Sequence, residues 1–409
     1  MTASLAASDL LRAAISFATS LVIARGLGRD GFGQWTLCMT GVGALTGALD
    51  LGTGMLLTRE AALGGVGALV SAALVVRAAL FAPIGALLVA LSPAIARGAV
   101  SPQAVRDGAL FVAAGAAYGC FAAVFRARPE RLLALVAIDA TAAVVRLAGA
   151  MLLVGRGAAL PDLLRLAAAV QVGQAAAAYG VWRILAPDDD LARPSIRRVV
   201  DLVRGGLPFA LAGLVANAQS RVAPLLLGYA STAGQLAFFG VAARIGRAAR
   251  MLPQAALSAG MPIFAGEQRA ADASSTRRRV DRIMNGFGVA AAAAVVVAAG
   301  PLVNWTYGAA FAGASAAVVW TGIALVPWLA NNARKMHLYA AGRERVAVRW
   351  SAAALLLQAA ACVLLIPRFG AAGAAAALAI GEAAVWMPLR GEDEAGAREM
   401  PAPSMQLVS

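Results

Sequence analysis

The chain has 409 residues, of which 61% are hydrophobic and 14% charged, and its mean hydropathy is +0.75. A soluble domain carries roughly 25% charged residues, so a soluble enzyme is excluded and a polytopic membrane protein is indicated. The net charge of +14 does not indicate nucleic acid, because the arginines and the single Lys335 are scattered among apolar segments and form no basic domain.

Apolar segments of about 20 residues, enough to cross a ~30 Å hydrocarbon core, recur from end to end. Twelve are expected, near residues 5–24, 35–57, 68–94, 107–126, 132–155, 159–186, 207–229, 233–257, 284–304, 314–333, 346–366 and 370–389. The expected class is therefore all-α and membrane-spanning, with two lobes of six helices. Residues 1–186 form the first lobe, 187–206 a cytoplasmic linker, 207–390 the second lobe and 391–409 a disordered cytoplasmic tail. The first span has no basic run before it, since Arg12 is the first cation, so it reads as a retained span.

Spans 1 and 2 meet at a turn holding Gly26, Gly28, Gly31 and Gly33, where φ > 0 is affordable only to glycine. A related pattern returns 200 residues later: Ser20 to Trp35 parallels Ser220 to Leu236, each with Leu-Gly at a helix end and Gly-Gln at the next helix. That repeat fits two halves in one orientation, related by a pseudo-twofold axis along the membrane normal. Cys38, Cys120 and Cys362 lie inside spans and read as apolar packers. His337 is placed in a loop, and no metal-ligand cluster and no cofactor motif is read.

Cations distribute unevenly between the two sides. With the N-terminus in the cytoplasm, the outer loops hold only Arg25, Arg29, Arg97, Arg106, Arg156, Arg165 and Arg368, and about three times as many lie inside. This bias sets the orientation, with both termini cytoplasmic.

Seven arginines fall within spans: Arg12, Arg77, Arg146, Arg221, Arg244, Arg247 and Arg250, accompanied by Asp9, Asp50, Asp139 and Glu382. An arginine at mid-bilayer costs about 2.5–3.5 kcal/mol, so such residues face a bundle interior or a water-filled cavity. Helical spacing puts Asp9, Arg12 and Ser16 on one stripe, and Asn217, Ser220 and Arg221 on another. Gln171 and Gln174 add a polar face to span 6. Simpler readings stand beside a cavity role. Asp9 and Arg12 can pair with each other, Asp139 and Arg146 can tie two helices, Arg250 can snorkel to the inner headgroups, and Glu382 can be structural. Arg12, Arg77, Arg146, Arg221, Arg244 and Arg247 are taken as the cationic cavity, lined further by Ser16, Gln171, Gln174, Asn217 and Ser220. Asp9, Asp50 and Asp139 are coupling or structural carboxylates. A cationic cavity implies an anionic substrate, and the planar fork of arginine suits phosphate or pyrophosphate oxygens.

ARGLGRDGFGQWTL, Ala24 to Leu37, resembles the first-loop signature of the Wzx-like lipid-linked oligosaccharide flippases, the polysaccharide transporter family of the MOP exporter superfamily. Its fixed positions here are Ala24, Arg25, Leu27, Gly28, Phe32, Gly33 and Leu37, followed by Asp50-Leu51-Gly52 and Arg59. Phe238 to Ala265 and Leu365 to Glu382 resemble later stretches of that family. The chain departs from it in span 7, where an aspartate is usual and Ser220 and Arg221 stand here. The resemblance implies a MATE-like bundle in the bacterial inner membrane. It also implies alternating access and an undecaprenyl-pyrophosphate-linked saccharide moved to the periplasmic leaflet, with polysaccharide polymerase or assembly proteins as partners. No enzyme activity is expected. The alternatives are a multidrug or cation antiporter of the same superfamily, a peptidoglycan-precursor flippase, and a membrane-embedded polymerase or glycosyltransferase. The antiporter would want an anionic cavity. The polymerase would want paired carboxylates in large outer loops, and the outer loops offer only Asp30, Asp107 and Asp162, all in short connections.

Overall fold

The structure, a computed structural model, describes residues 2–61, 66–90, 102–185, 191, 193–267 and 273–399. The side chains of residues 2–10, 252–267, 273–278 and 393–399, and of residues 129, 130, 208, 280 and 340, lie outside that description.

Eleven α-helices account for nearly all of it: α1 (Thr2–Asp50), α2 (Thr53–Ala61), α3 (Gly67–Ala90), α4 (Pro102–Ala127), α5 (Pro129–Gly155), α6 (Leu160–Leu185), α7 (Ile196–Ala230), α8 (Ala233–Glu267), α9 (Ala273–Thr306), α10 (Ser315–Ala340) and α11 (Glu344–Glu399). A 3₁₀ turn, Ala309–Ala314, precedes α10. Helix is the expected choice in lipid, because it satisfies every backbone group within its own segment. Eight of the described helices are long and apolar enough to cross a membrane. Two of these stretches, of 40 and 49 residues, bend at Gly28 and at Gly370 and are each about twice one crossing. α6 and α8 have the length but carry Arg165 and Arg183, and Arg244, Arg247 and Arg250, respectively. Counting both limbs of the bent helices and adding these two recovers the twelve spans read from the sequence.

Local sequence explains the breaks. Pro129 opens α5 after an extended Arg128, the position where a missing N–H costs least. Gly157 and Gly342 sit just past α5 and α10 with φ of 72° and 70°. The amides that follow them, of Ala158 and Arg343, reach back to Leu153 and Leu338, closing each helix end on a left-handed glycine. In the first turn only Gly28 takes positive φ, at 67°. Gly26 serves differently, since a Cβ there would strike Val154 of α5. Gly228, the counterpart of Gly28 in the sequence repeat, has no such conformation, and α7 runs past it to Ala230.

The chain divides into two compact units, Ala7–Arg221 and Val222–Ser409, the latter grouped with Met1–Ala6. The division lies inside α7 and not in the expected linker, residues 187–206. The reason is local packing: the start of α7 is clamped to the end of α1. Gly52, φ 70°, follows Leu51, itself at φ 43°. A Cβ on Gly52 would strike Gly206 O, and would lie 2.5 Å from Ala210 N. Two backbones in such contact leave no room for a methyl. Gly52→Ala is expected to destabilise the protein by about 1–3 kcal/mol, from overpacking and left-handed strain together. Thermal unfolding in detergent, followed by size-exclusion chromatography, measures it.

The first unit is centred on Phe121, Phe125 and Trp182, with Leu57, Val70 and Leu202 packed around them. The Trp182 ring lies 6.0 Å from Phe121 and 6.5 Å from Phe125, distances at which offset aromatic pairs attract. In the second unit, Leu338, Ala354, Val385 and Leu389 join α10 to both limbs of α11.

Two expectations are corrected in this unit. His337 is not in a loop: α10 continues to Ala340 and buries it. The charges Arg334 and Lys335 resemble a loop in the sequence, but Arg334 is buried, stacks 5.2 Å from the Trp386 ring and donates to Trp386 O at 2.9 Å. The tail is also not disordered throughout, because α11 runs through Glu399. Glu392 holds that end, accepting from Arg343 at 2.9 Å and Arg349 at 2.5 Å. Residues 400–409 lie outside the described residues.

Candidate functional site

The span arginines meet three different fates. Arg77 of α3 is 4% exposed. Its Nε and Nη2 donate to Thr53 Oγ1 at 3.2 and 3.0 Å, its Nη1 donates to Ala116 O at 2.8 Å, and its Nη2 also bonds Asp50. Asp50 in turn accepts from Gly54 N at 3.2 Å. Gly119 leaves room for the guanidinium, since a Cβ there would lie 2.6 Å from Nη1. Arg77 was expected to face the cavity, but all three of its nitrogens are committed to the protein. Asp50 is its counter-charge.

The second group is centred on Asp139 of α5. Its Oδ2 accepts from Arg12 at 2.9 Å, and its Oδ1 from Tyr118 at 2.5 Å and Gln174 at 2.6 Å. Four helices, α1, α4, α5 and α6, thus meet at one carboxylate. Arg12 therefore pairs across 127 residues with Asp139; the side chain of Asp9, its expected partner, lies outside the description. Arg12 stays half exposed and Asp139 is largely covered, at 50% and 16%. Gln171, one turn from Gln174, is buried, and Ser16 is exposed.

Arg146 is the third case. It lies two helical turns beyond Asp139 on α5, half-buried, and forms no hydrogen bond or ion pair among the described residues; its Nε is sealed without an acceptor. No hydrogen bond or close ion pair joins Arg146 to Asp139, whose oxygens accept from Arg12, Tyr118 and Gln174; the two residues act on each other as charges at longer range. A buried polar atom left unsatisfied is uncommon and calls for a reason.

Further along the first unit, Asn217 Nδ2 donates to Ala44 O at 2.9 Å, and Ser220 turns back to Asn217 O at 2.8 Å. Arg221 lies against Gly43 of α1. In the second unit Arg244 donates to Gly240 O at 3.0 Å, within α8, and Arg247 is exposed. Arg250 bonds Gly246 O at 3.1 Å and lies 4.9 Å over the Trp328 ring, a cation–π seat in place of the expected reach to headgroups. Glu382 is buried and accepts from Asn331 at 2.8 Å. In the loop motif Phe32 and Gly33 are buried, Gly28 makes the bend and Arg25 is exposed. No group of three metal-ligating side chains occurs among the described residues.

Tyr118 and Thr53 were not anticipated. Neither stands out in an apolar helix until the carboxylate it serves is placed beside it. Gly43 and Gly47 carried a usable signal, since their spacing of four matches that of Asn217 and Arg221.

Solved structures share this fold. A multidrug resistance MATE family transporter of the MOP superfamily, in an inward-facing conformation, aligns over 95% of this chain and 96% of its own, with a TM-score of 0.74 at 14% identity. The lipid II flippase MurJ aligns over 95% and 86%, with a TM-score of 0.75 at 10% identity. A MOP superfamily transporter from Pyrococcus furiosus, described as having a binding pocket of reverse polarity, aligns over 97% and 96%, with a TM-score of 0.63 at 14% identity. Comparison with curated proteins finds no match. The sequence model of the polysaccharide biosynthesis protein family matches residues 2–267. The chain is thus a multi-pass membrane protein with the MOP transporter fold, and it belongs to the polysaccharide biosynthesis protein family.

Proposed function

We propose that the protein is a flippase for a lipid-linked saccharide whose carrier presents phosphate or pyrophosphate, moved from the cytoplasmic to the periplasmic leaflet of the inner membrane. The observation that carries this reading is Arg146, a guanidinium inside a membrane helix with no hydrogen bond or ion pair among the described residues. Such a group is costly to insert and is retained when a ligand supplies the missing acceptors. Pyrophosphate offers paired oxygens to its fork. Arg12 and Arg221 of the same unit, and Arg244 and Arg247 of the other, are the further candidates for anion contact. Gln174 orients Asp139, which holds Arg12, and Asn217, Ser220, Gln171 and Ser16 are candidates for sugar hydroxyls.

Charge balance favours this substrate over a cationic drug. A cation exporter needs a carboxylate left for its substrate, and Asp50 and Asp139 are both neutralised, by Arg77 and Arg12. Arg146, by contrast, has no carboxylate bonded to it among the described residues. The family model supports the saccharide, and one protein with this fold is a lipid II flippase.

Deleting the gene from its host is expected to abolish surface polysaccharide while the lipid-linked precursor accumulates on the inner leaflet. Unchanged surface polysaccharide with no precursor build-up would sink the proposal. Orientation has its own check: alkaline phosphatase fused after Gly228 is expected to be active, and after Arg279 inactive. The reverse pattern would place the termini outside.

A further inference from the structure

We infer that Gly43 fixes where the guanidinium of Arg221 lies, making it a positioning residue for anion binding; this rests on reading Arg221 as a substrate-contacting arginine. Gly43 and Gly47 stand one turn apart on α1. Asn217 and Arg221 stand one turn apart on α7, and the two pairs meet in register. A Cβ on Gly47 would lie 2.6 Å from Asn217 Cγ, and Asn217 is anchored to the adjacent Ala44 carbonyl. A Cβ on Gly43 would lie 2.5 Å from Arg221 Nη2, 2.7 Å from Cζ and 3.0 Å from Nη1. Three atoms of one planar group within reach of one point mean that the guanidinium lies flat across the bare Cα of Gly43.

Atoms in ordinary contact sit at ~3.5–4.0 Å, so a methyl at position 43 displaces the guanidinium by about an ångström. The displaced group is the far end of a flexible side chain, unlike the backbone that crowds Gly52. Gly43→Ala is therefore absorbed without loss of fold, and its effect falls on the direction of the fork. Bidentate recognition of phosphate depends on that direction. Lysine at 221 has no fork and no planar head to lay across Gly43, so it removes the need for the glycine.

The test uses purified full-length protein, with farnesyl pyrophosphate and inorganic pyrophosphate as probes and tryptophan fluorescence as the readout. Gly43→Ala is expected to raise half-saturation for both about tenfold, the scale of one lost charge-assisted bond, with the unfolding temperature unchanged. In an Arg221→Lys background, Gly43→Ala is expected to add nothing. If Gly43→Ala binds like the wild type while Arg221→Ala is weakened, the positioning role fails and the anion reading stands. If Gly43→Ala weakens binding equally in the lysine background, the glycine serves helix packing and the inference fails. If Arg221→Ala binds both probes like the wild type, the reading of Arg221 falls, and the inference with it.

Discussion

Arg77→Ala is expected to cost the protein its fold before it costs any transport. Arg77 is buried, and it joins α3 to Thr53 of α2, Asp50 at the end of α1 and Ala116 of α4. Removing it leaves a carboxylate without its counter-charge, a threonine hydroxyl without its donors and a cavity beside Gly119. Breaking one side of a buried pair costs about 3–5 kcal/mol. Asp50 is 41% exposed and recovers part of its solvation, which places the expected loss near ~3 kcal/mol. Against a total stability of about 5–15 kcal/mol, that is enough to lower membrane protein levels. Asp50→Asn in the same chain removes the stranded charge, so the double variant is expected to unfold at a higher temperature than Arg77→Ala alone. Thermal unfolding in detergent reads both. An Arg77→Ala protein that unfolds like the wild type yet fails in export would overturn the structural role and return Arg77 to the list of substrate contacts.

The fold was legible because lipid leaves a chain few choices. Apolar runs of one bilayer length set the number of crossings, and Gly28 in a short polar break set the first bend. What lay beyond the sequence was mostly the identity of neighbours. Helical period sorts residues onto the faces of one helix, but it is silent on which helix comes to meet that face. Asp9 and Arg12 share a stripe, yet Arg12 found Asp139, on a helix 127 residues away. Asp139 and Arg146 share a stripe, yet Asp139 gave its oxygens to Tyr118, Gln174 and Arg12. The arginines looked equivalent as charges in apolar sequence, and their environments separate them. Arg77 is satisfied by protein and Arg250 by an indole ring, whereas Arg146 has no hydrogen bond or ion pair among the described residues. Arg334 and His337 misled in the other direction, because a polar run at a helix end resembles a loop until Trp386 is placed against it.

Arg146→Ala is expected to show the opposite signature to Arg77→Ala. Arg146 forms no hydrogen bond or ion pair that its loss would break, and it carries the cost of an arginine within a membrane helix, about 2.5–3.5 kcal/mol on insertion scales. It stands nine residues before Gly155, the end of α5, or roughly 14 Å of helix at ~1.5 Å per residue. That is farther than an arginine side chain reaches, so snorkelling to that surface does not account for its sealed Nε. The alanine variant is therefore expected to reach the membrane at normal level and to unfold at the wild-type temperature or above. Export should nonetheless fall about a hundredfold, the scale of losing two charge-assisted bonds to phosphate at about 1.5 kcal/mol each. Arg146→Lys keeps the charge and loses the fork, so it should retain part of the export. The measurement is surface polysaccharide per unit of membrane protein in the deletion strain carrying each variant. Normal export by Arg146→Ala would show that the unsatisfied guanidinium is not held for substrate. A lowered unfolding temperature with export lost would assign it to the structure, as with Arg77. The pairing of retained stability with lost export is what a residue kept for an anionic ligand predicts, because the protein carries the cost of the charge at rest and recovers it only when the carrier's phosphate is bound.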